Sequence, residues 1–263
     1  MANYVAHTLK AQVFGDVILL DALVSGETTE LFFHHASGLT ESVARNLLSK
    51  AEIKSVGGAA WITGATPTAP VTMPVGDQTQ AIALSTPTPD LMSGRNVALA
   101  TRNGESAQMV LDWLRFHITH QGLTGAIILD RADPDSNAAF TQELQDGVAA
   151  LDADLVVLHL HATVPLGKDS LPPEAHPFST PGAPGKDRMD IPANNAWSAP
   201  LADVLVYELL RRKYLEQARA VANIEVYDLV PKSGDLTMFD LAQTAPNGVV
   251  QLLGRQAYPW RVK

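Results

Sequence analysis

Residues 96–137 read NVALATRNGESAQMVLDWLRFHITHQGLTGAIILDRADPDSN, and the alternation within this stretch decides the fold. An apolar run from Asn96 to Thr101 breaks at Arg102-Asn103-Gly104-Glu105. Met109, Val110, Trp113, Leu114, His117 and Ile118 then recur at three- and four-residue steps, one broad face of a helix ending at Gln121-Gly122. Asn103 or Ser106 is placed to cap its first turn, with Glu105 at the positive end of the dipole. A second strand, Ala126 to Leu129, carries no polar alternation, so both of its faces are expected to be covered. It ends on Asp130, Asp133 and Asp135. Strand, helix, strand in this order describes a parallel βαβ unit, whose ligands sit at the carboxyl ends of the strands. The polar residues fall at those ends.

Downstream the alternation continues. A helix is expected from Asn137 to Ala150 and a third strand from Asp154 to Leu160. A helix is expected from Leu201 to Ala222 with Arg211-Arg212-Lys213 solvated, then a strand from Ile224 to Tyr227, a short helix from Leu236 to Gln243 and a last strand from Val249 to Leu253. Five strands alternating with helices imply an open, mostly parallel, doubly wound α/β sheet of Rossmann-like type. The stretch from Ala162 to Pro200 holds eight prolines and no periodicity. Structureless segments beyond roughly 15 residues are most often functional lids or inserts, and this one starts at the same sheet edge as Asp130, so it reads as a site-covering loop.

Residues 1–94 read as a separate small β-rich or α+β module: strands at Val17–Leu20 and Glu30–Phe33 around a turn at Ser25-Gly26-Glu27, a helix from Thr40 to Lys50, and a strand from Ala59 to Thr63. Thr86-Pro87-Thr88-Pro89-Asp90 marks the boundary, leaving 95–263 as the ligand-binding domain.

Composition narrows the function classes. With 46% hydrophobic and 18% charged residues, the chain has an ordinary globular balance. A net charge of −9 argues against nucleic-acid partners and basic membrane patches. The absence of cysteine removes thiolate catalysis and cysteine-based metal sites. No apolar run reaches the ~18 residues that span a bilayer, and no signal-peptide pattern opens the chain, so a cytoplasmic location is expected. No Gly-x-Gly-x-x-Gly, Walker lysine motif or Gly-x-Ser-x-Gly elbow occurs.

The candidate ligand residues are Arg102, Asn103 and Glu105 after strand one, and Asp130 at the end of strand two, where a carboxylate can accept hydrogen bonds from a base or ribose. Asp133, with Asp135, reads as a helix cap that can also meet a ligand. Glu225 and Asp228 lie three apart at the fourth strand and are the candidate metal or phosphate-side ligands. His34-His35 and His159-x-His161 offer metal-ligand chemistry but read first as packing or surface residues, and His117 as a hydrogen-bonded core histidine. No residue is singled out as catalytic.

Thr101-Arg102-Asn103-Gly104-Glu105, Asp112-Trp113-Leu114 with Phe116-His117 and Gly122, the turn Asp130-Arg131-Ala132-Asp133-Pro134-Asp135-Ser136, and Ile224-Glu225-Val226-Tyr227-Asp228-Leu229 together resemble bacterial glycosyltransferases of the family-2-like group, close to the family 92 enzymes. The resemblance implies a GT-A fold, a nucleotide-diphosphate sugar as donor and a carbohydrate or glycan hydroxyl as acceptor. By implication Arg102, Asn103, Glu105, Asp130 and Asp133 contact the nucleotide, and Glu225 and Asp228 hold Mn²⁺ or Mg²⁺ at the diphosphate. The chain departs from the family's Asp-x-Asp-Glu pattern: Glu225 and Tyr227 stand at the two Asp positions and Asp228 at the Glu. A non-catalytic GT-A-like binding or scaffolding module is the alternative, and a Rossmann-like enzyme on another nucleotide a third. The pattern stops where an acceptor cleft would follow, which suits a natural chain continuing past Lys263.

Overall fold

The computed structural model describes residues 1–34, 39–176, 179, 185–232 and 234–254. Among them are a five-stranded all-parallel sheet and a separate five-stranded antiparallel sheet, so the chain is α/β. The parallel sheet has the order β1-β11-β10-β9-β12, with β1 at Asn3–Leu9, β9 at Asn96–Arg102, β10 at Gly125–Asp130, β11 at Val156–Ala162 and β12 at Ala220–Asn223. The antiparallel sheet has the order β2-β3-β4-β6-β5 (Gln12–Phe14, Val17–Ser25, Thr28–His34, Ala59–Ala65, Ser49–Val56), and β7 (Thr72–Val75) pairs with β8 (Gln78–Ala81). No helix among the described residues is long and apolar enough to cross a membrane.

The central βαβ unit forms, with one change to the expected helix face: Val110, Trp113, Leu114 and His117 are buried, but Met109 is exposed and Ala107 and Leu111 are buried in addition. Helix α2 (Ala107–Gln121) is capped by Ser106, whose hydroxyl accepts from the Met109 amide at 3.2 Å, and ends at Gly122 in the left-handed conformation, φ 62°. Only glycine adopts that backbone without strain. Helix α3 (Ala138–Ala149) packs beside it, so closely that a Cβ on Gly147 would fall 2.2 Å from Leu111 Cδ1. Both lie on one face of the parallel sheet with helix α5 (Met238–Thr244), over Ala98, Ala100, Ala126, Ile128 and Val157.

The opposite face departs from a doubly wound sheet. Val97, Leu99, Ile127, Leu129, Leu158 and Leu160 pack against helix α4 (Leu205–Leu210) and against Leu20, Leu23 and Phe32 of the antiparallel sheet. One face is thus covered by helices and the other by α4 and a second sheet. Helix α1 (Glu41–Leu47) and the β7–β8 hairpin close the far side of the antiparallel sheet, over Leu19, Leu31, Phe33 and Ile62.

Three expectations are corrected. The helix expected over 201–222 is α4 followed by a π-helical turn, Arg211–Leu215, and then β12. Carbonyls that would continue a helix are taken elsewhere: Lys213 O accepts from Thr88 N at 2.7 Å and Gln217 O from Gly94 N at 2.9 Å. Lys213 itself is not solvated but bonds Asp21 at 2.5 Å. The fourth strand lies at Ala220–Asn223 rather than Ile224–Tyr227, because pairing with Asn96–Leu99 ends at Asn223. Val249–Leu253 is not a strand; the fifth place is taken by β1, which pairs with β11 from Asn3↔Val156 to Leu9↔Ala162. The boundary at residue 94 therefore separates the sheets except for this first strand.

Candidate functional site

The carboxyl edge of the parallel sheet carries two groups of polar residues, and strand parity sorts them. Alternate residues of a strand point to opposite faces. At the end of β9, Thr101 points to the α4 side and Arg102 to the α3 side; at the end of β10, Asp130 takes the α3 side.

On the α4 side a cavity of about 110 Å³ is lined by Thr101, Asn103, Glu105, Arg131, Glu174, Leu201, Tyr207, Glu225 and Tyr227. It lies between the ends of β9 and β12. This is where the strand order reverses, since β10 and β11 are laid on one flank of β9 and β12 on the other. Open α/β sheets bind ligands at such a switch point. The walls are fixed by hydrogen bonds. Thr101 Oγ1 donates to Glu225 Oε2 at 2.6 Å, and the Asn103 amide donates to Glu105 Oε2 at 2.6 Å. The proline-rich segment closes one side: Asn103 Nδ2 donates to Glu174 and, at 3.0 Å, to the Ser198 carbonyl. Arg131 reaches Glu174 at 3.3 Å and the Ala199 carbonyl. Glu174, Ser198 and Ala199 of this segment are thus tied to the strand ends beside the cavity.

Three carboxylates face one guanidinium, so the cavity is acidic. Burial pushes the Glu225 carboxyl up; the Thr101 hydroxyl lowers it, and nearby Asp228 and Glu174 push it further up. Burial and the Glu225 charge raise Tyr207, and burial with Glu225 and Asp228 raises Tyr227 to about 12. Both phenols keep their protons at neutral pH. Arg131 Nε is buried with no hydrogen-bond partner among the described residues, an unused donor in the cavity wall.

On the α3 side the Asp130 carboxylate is buried in a closed network. Its Oδ1 accepts from Arg102 Nη1 at 3.0 Å, and its Oδ2 from His159 Nε2 at 2.8 Å and from Asn137. Arg102 also donates to Asn137 and to the Glu105 carbonyl, and its guanidinium lies 3.7 Å from the Phe140 ring centroid. Burial pushes the Asp130 carboxyl up, but the His159 hydrogen bond, the Arg102 charge and the Asn137 hydrogen bond prevail and hold it at about 2.

Of the sequence candidates, Asn103, Glu105 and Glu225 meet in the cavity. Arg102 and Asp130 do not: they point to the other face and satisfy each other. Asp133 is the cap of a 3₁₀ turn (Pro134–Ser136), its Oδ1 accepting from the Asp135 amide at 3.1 Å. Asp228 lies in the turn after β12 and accepts from the Glu225 amide at 3.1 Å, so the two acids share a turn beyond the strand. Sequence reasoning missed Arg131, Glu174 and Tyr207. Parity after Asp130 was available to place Arg131; Glu174 sits in an aperiodic loop and Tyr207 inside an apolar helix, where nothing local distinguishes them.

Among the histidines, His117 is the core residue expected, with Nδ1 at 2.9 Å from the Trp113 carbonyl and Nε2 accepting from the Val230 amide at 3.3 Å. His34 is buried against Asp203, and His35 lies outside the described residues. His159 and His161 share one face of β11, and the structure supplies the acid that local spacing lacks. With Asp130 they form the trio of acidic and imidazole groups, among the described residues, whose ligand atoms converge within 4.8 Å.

Compared with family models, with curated proteins and with solved structures, the chain matches none.

Proposed function

We propose that the chain binds a nucleotide-diphosphate sugar at the carboxyl ends of β9 and β12 and acts as a glycosyltransferase-like protein, passing the sugar to an acceptor hydroxyl. The observation that carries this reading is the place of the Asn103–Glu105–Glu225 cavity at the switch point of the parallel sheet. The lining chemistry supports it. Glu105, Glu174 and Glu225 offer acceptors for the hydroxyls of a ribose or sugar ring. Arg131 is the cation for a phosphate oxygen, and the Tyr207 and Tyr227 phenols are donors. Ligand pockets commonly measure roughly 300–1,000 Å³, so the cavity takes one end of such a ligand and the exposed Tyr227 rim receives the rest.

A divalent cation fits Glu225 and Asp228. Mg²⁺ and Mn²⁺ take oxygen donors, and Mg²⁺ is often held by one or two carboxylates with substrate phosphates completing the shell. Burial first, and then the repulsion of Asp228 and Glu174, raise the Glu225 carboxyl, and a cation would relieve that repulsion. Its chemistry there is neutralisation of the leaving diphosphate. The chain's own groups orient the donor: Asn103 and Glu105 fix the cavity wall, Thr101 holds Glu225, and Glu174 and Ser198 hold the proline-rich segment over one side.

Calorimetry with UDP-sugars, with and without Mn²⁺, tests the reading. Metal-dependent binding lost in Glu225→Gln is expected. No binding of any nucleotide sugar would favour a binding or scaffolding module, a second reading favoured by the Asp228 carboxylate folding back onto the Glu225 amide.

A further inference from the structure

We propose a second metal site, independent of the nucleotide cavity and on the other face of the parallel sheet, in which Asp130, His159 and His161 hold a divalent transition metal such as Zn²⁺. Topology builds the trio. His159 and His161 are two residues apart on β11 and so project to one face, with ring centroids 4.0 Å apart. Parallel pairing of β10 with β11 sets Asp130 opposite His161. The ligand atoms of all three converge within 4.8 Å.

Three features suit a metal rather than a plain hydrogen-bonded cluster. Arg102 Nη1 lies closer to Asp130 Oδ1 than to Oδ2, at 3.0 against 3.3 Å, while Oδ2, which also accepts from Asn137, is 2.8 Å from His159 Nε2 and on the side of the imidazoles. A cation replacing the proton between Oδ2 and Nε2 would leave the shorter Arg102 contact, to Oδ1, intact. The far nitrogen of His159 already has an outer partner, Tyr4 Oη at 2.7 Å. Metal-bound histidines characteristically donate that second N–H to an oxygen, which fixes the tautomer. Finally, His161 also lines an open cavity of about 440 Å³ with Thr8, Asn137, Thr141, Gln142 and Thr163. That cavity gives an entry path and room for a fourth ligand, the arrangement of three protein ligands plus an open position. Two imidazoles in three ligands select Zn²⁺, Co²⁺, Ni²⁺ or Cu²⁺ over Mg²⁺ and Ca²⁺. The nearby Arg102 charge adds to that bias, because a hard cation gains little from imidazole to offset the repulsion.

The test uses the full chain, freed of metal by chelator dialysis, with Co²⁺ as an optical probe and Zn²⁺ in calorimetry. One Co²⁺ per chain is expected, with visible ligand-field bands that Zn²⁺ abolishes and Mg²⁺ does not affect. His161→Gln, a half-buried position, should weaken Zn²⁺ by at least ~100-fold, and Tyr4→Phe by about 10-fold through loss of the outer partner. Zn²⁺ should shift the ¹⁵N imidazole signals of His159 and His161 in the unmutated chain, so the assignment does not depend on any variant folding. Absence of saturable binding would overturn the proposal. So would one-to-one binding that His161→Gln leaves unchanged, or shifts confined to other histidines. Nucleotide-sugar binding is read separately through Glu225→Gln, so either site can fail alone.

Discussion

Replacing Asp130 by alanine distinguishes a nucleotide-binding acid from one held in a buried ion pair. Asp130 and Arg102 are 1% and 7% exposed, and the substitution strands the Arg102 guanidinium and the His159 N–H without their acceptor. Breaking a buried ion pair from one side costs about 3–5 kcal/mol. For a chain of this size each kcal/mol moves the melting temperature by roughly 2–4 °C, so a fall of about 6–20 °C is expected. Circular dichroism during thermal and urea unfolding reads it. The acid limb gives an independent check. Because the folded carboxyl is depressed from 3.8 to about 2, its contribution is complete above its ordinary value and is lost as pH falls through that interval. At ~1.4 kcal/mol per unit this is about 2 kcal/mol, a loss the variant should not show. An Asp130→Ala protein as stable as its parent, with nucleotide-sugar affinity alone reduced, would refute the reasoning and return Asp130 to the nucleotide.

The remaining perturbations probe other levels of the account. Glu225→Gln should raise stability by about 1 kcal/mol while abolishing ligand binding, the usual exchange at a functional acid. Its raised carboxyl means that the folded state of the parent loses stability as pH rises through the range where free glutamate ionises, and the variant should lack that loss; equal pH profiles would contradict it. Gly147→Ala should cost about 1–3 kcal/mol by driving a methyl into Leu111, and a neutral result would mean that α2 and α3 do not pack as described. Asp133→Ala should cost no more than about 1 kcal/mol, as loss of an isolated cap; a larger drop in urea midpoint would show a role beyond capping.

The central βαβ unit was legible because each of its signals is local. The Met109-to-Ile118 spacing, Ser106 and Gly122 fix α2 without reference to the rest of the chain. The second strand, Ile127-Ile128-Leu129, is covered on both faces as its unbroken apolar run requires. The first strand was not legible: Asn3–Leu9 pairs with a segment about 150 residues downstream, and no local pattern announces a partner at that range. Ala220–Asn223, three of whose residues are alanine or valine, looks like the end of a helix; edge pairing with β9 overrides that preference. A strand end locates the acids, and only the parity of the strand assigns their faces. Counting alternation from Leu129 places Asp130 and Arg131 on opposite sides of the sheet, which separates the buried ion pair from the cavity.

The most direct test of the switch-point site is hydrogen exchange with mass analysis, with and without a UDP-sugar and Mn²⁺. Slower exchange confined to segments around Thr101–Glu105, Glu174 and Glu225–Asp228 is the expected result. Protection confined to the antiparallel sheet or to the start of α3, with those segments unchanged, would contradict it.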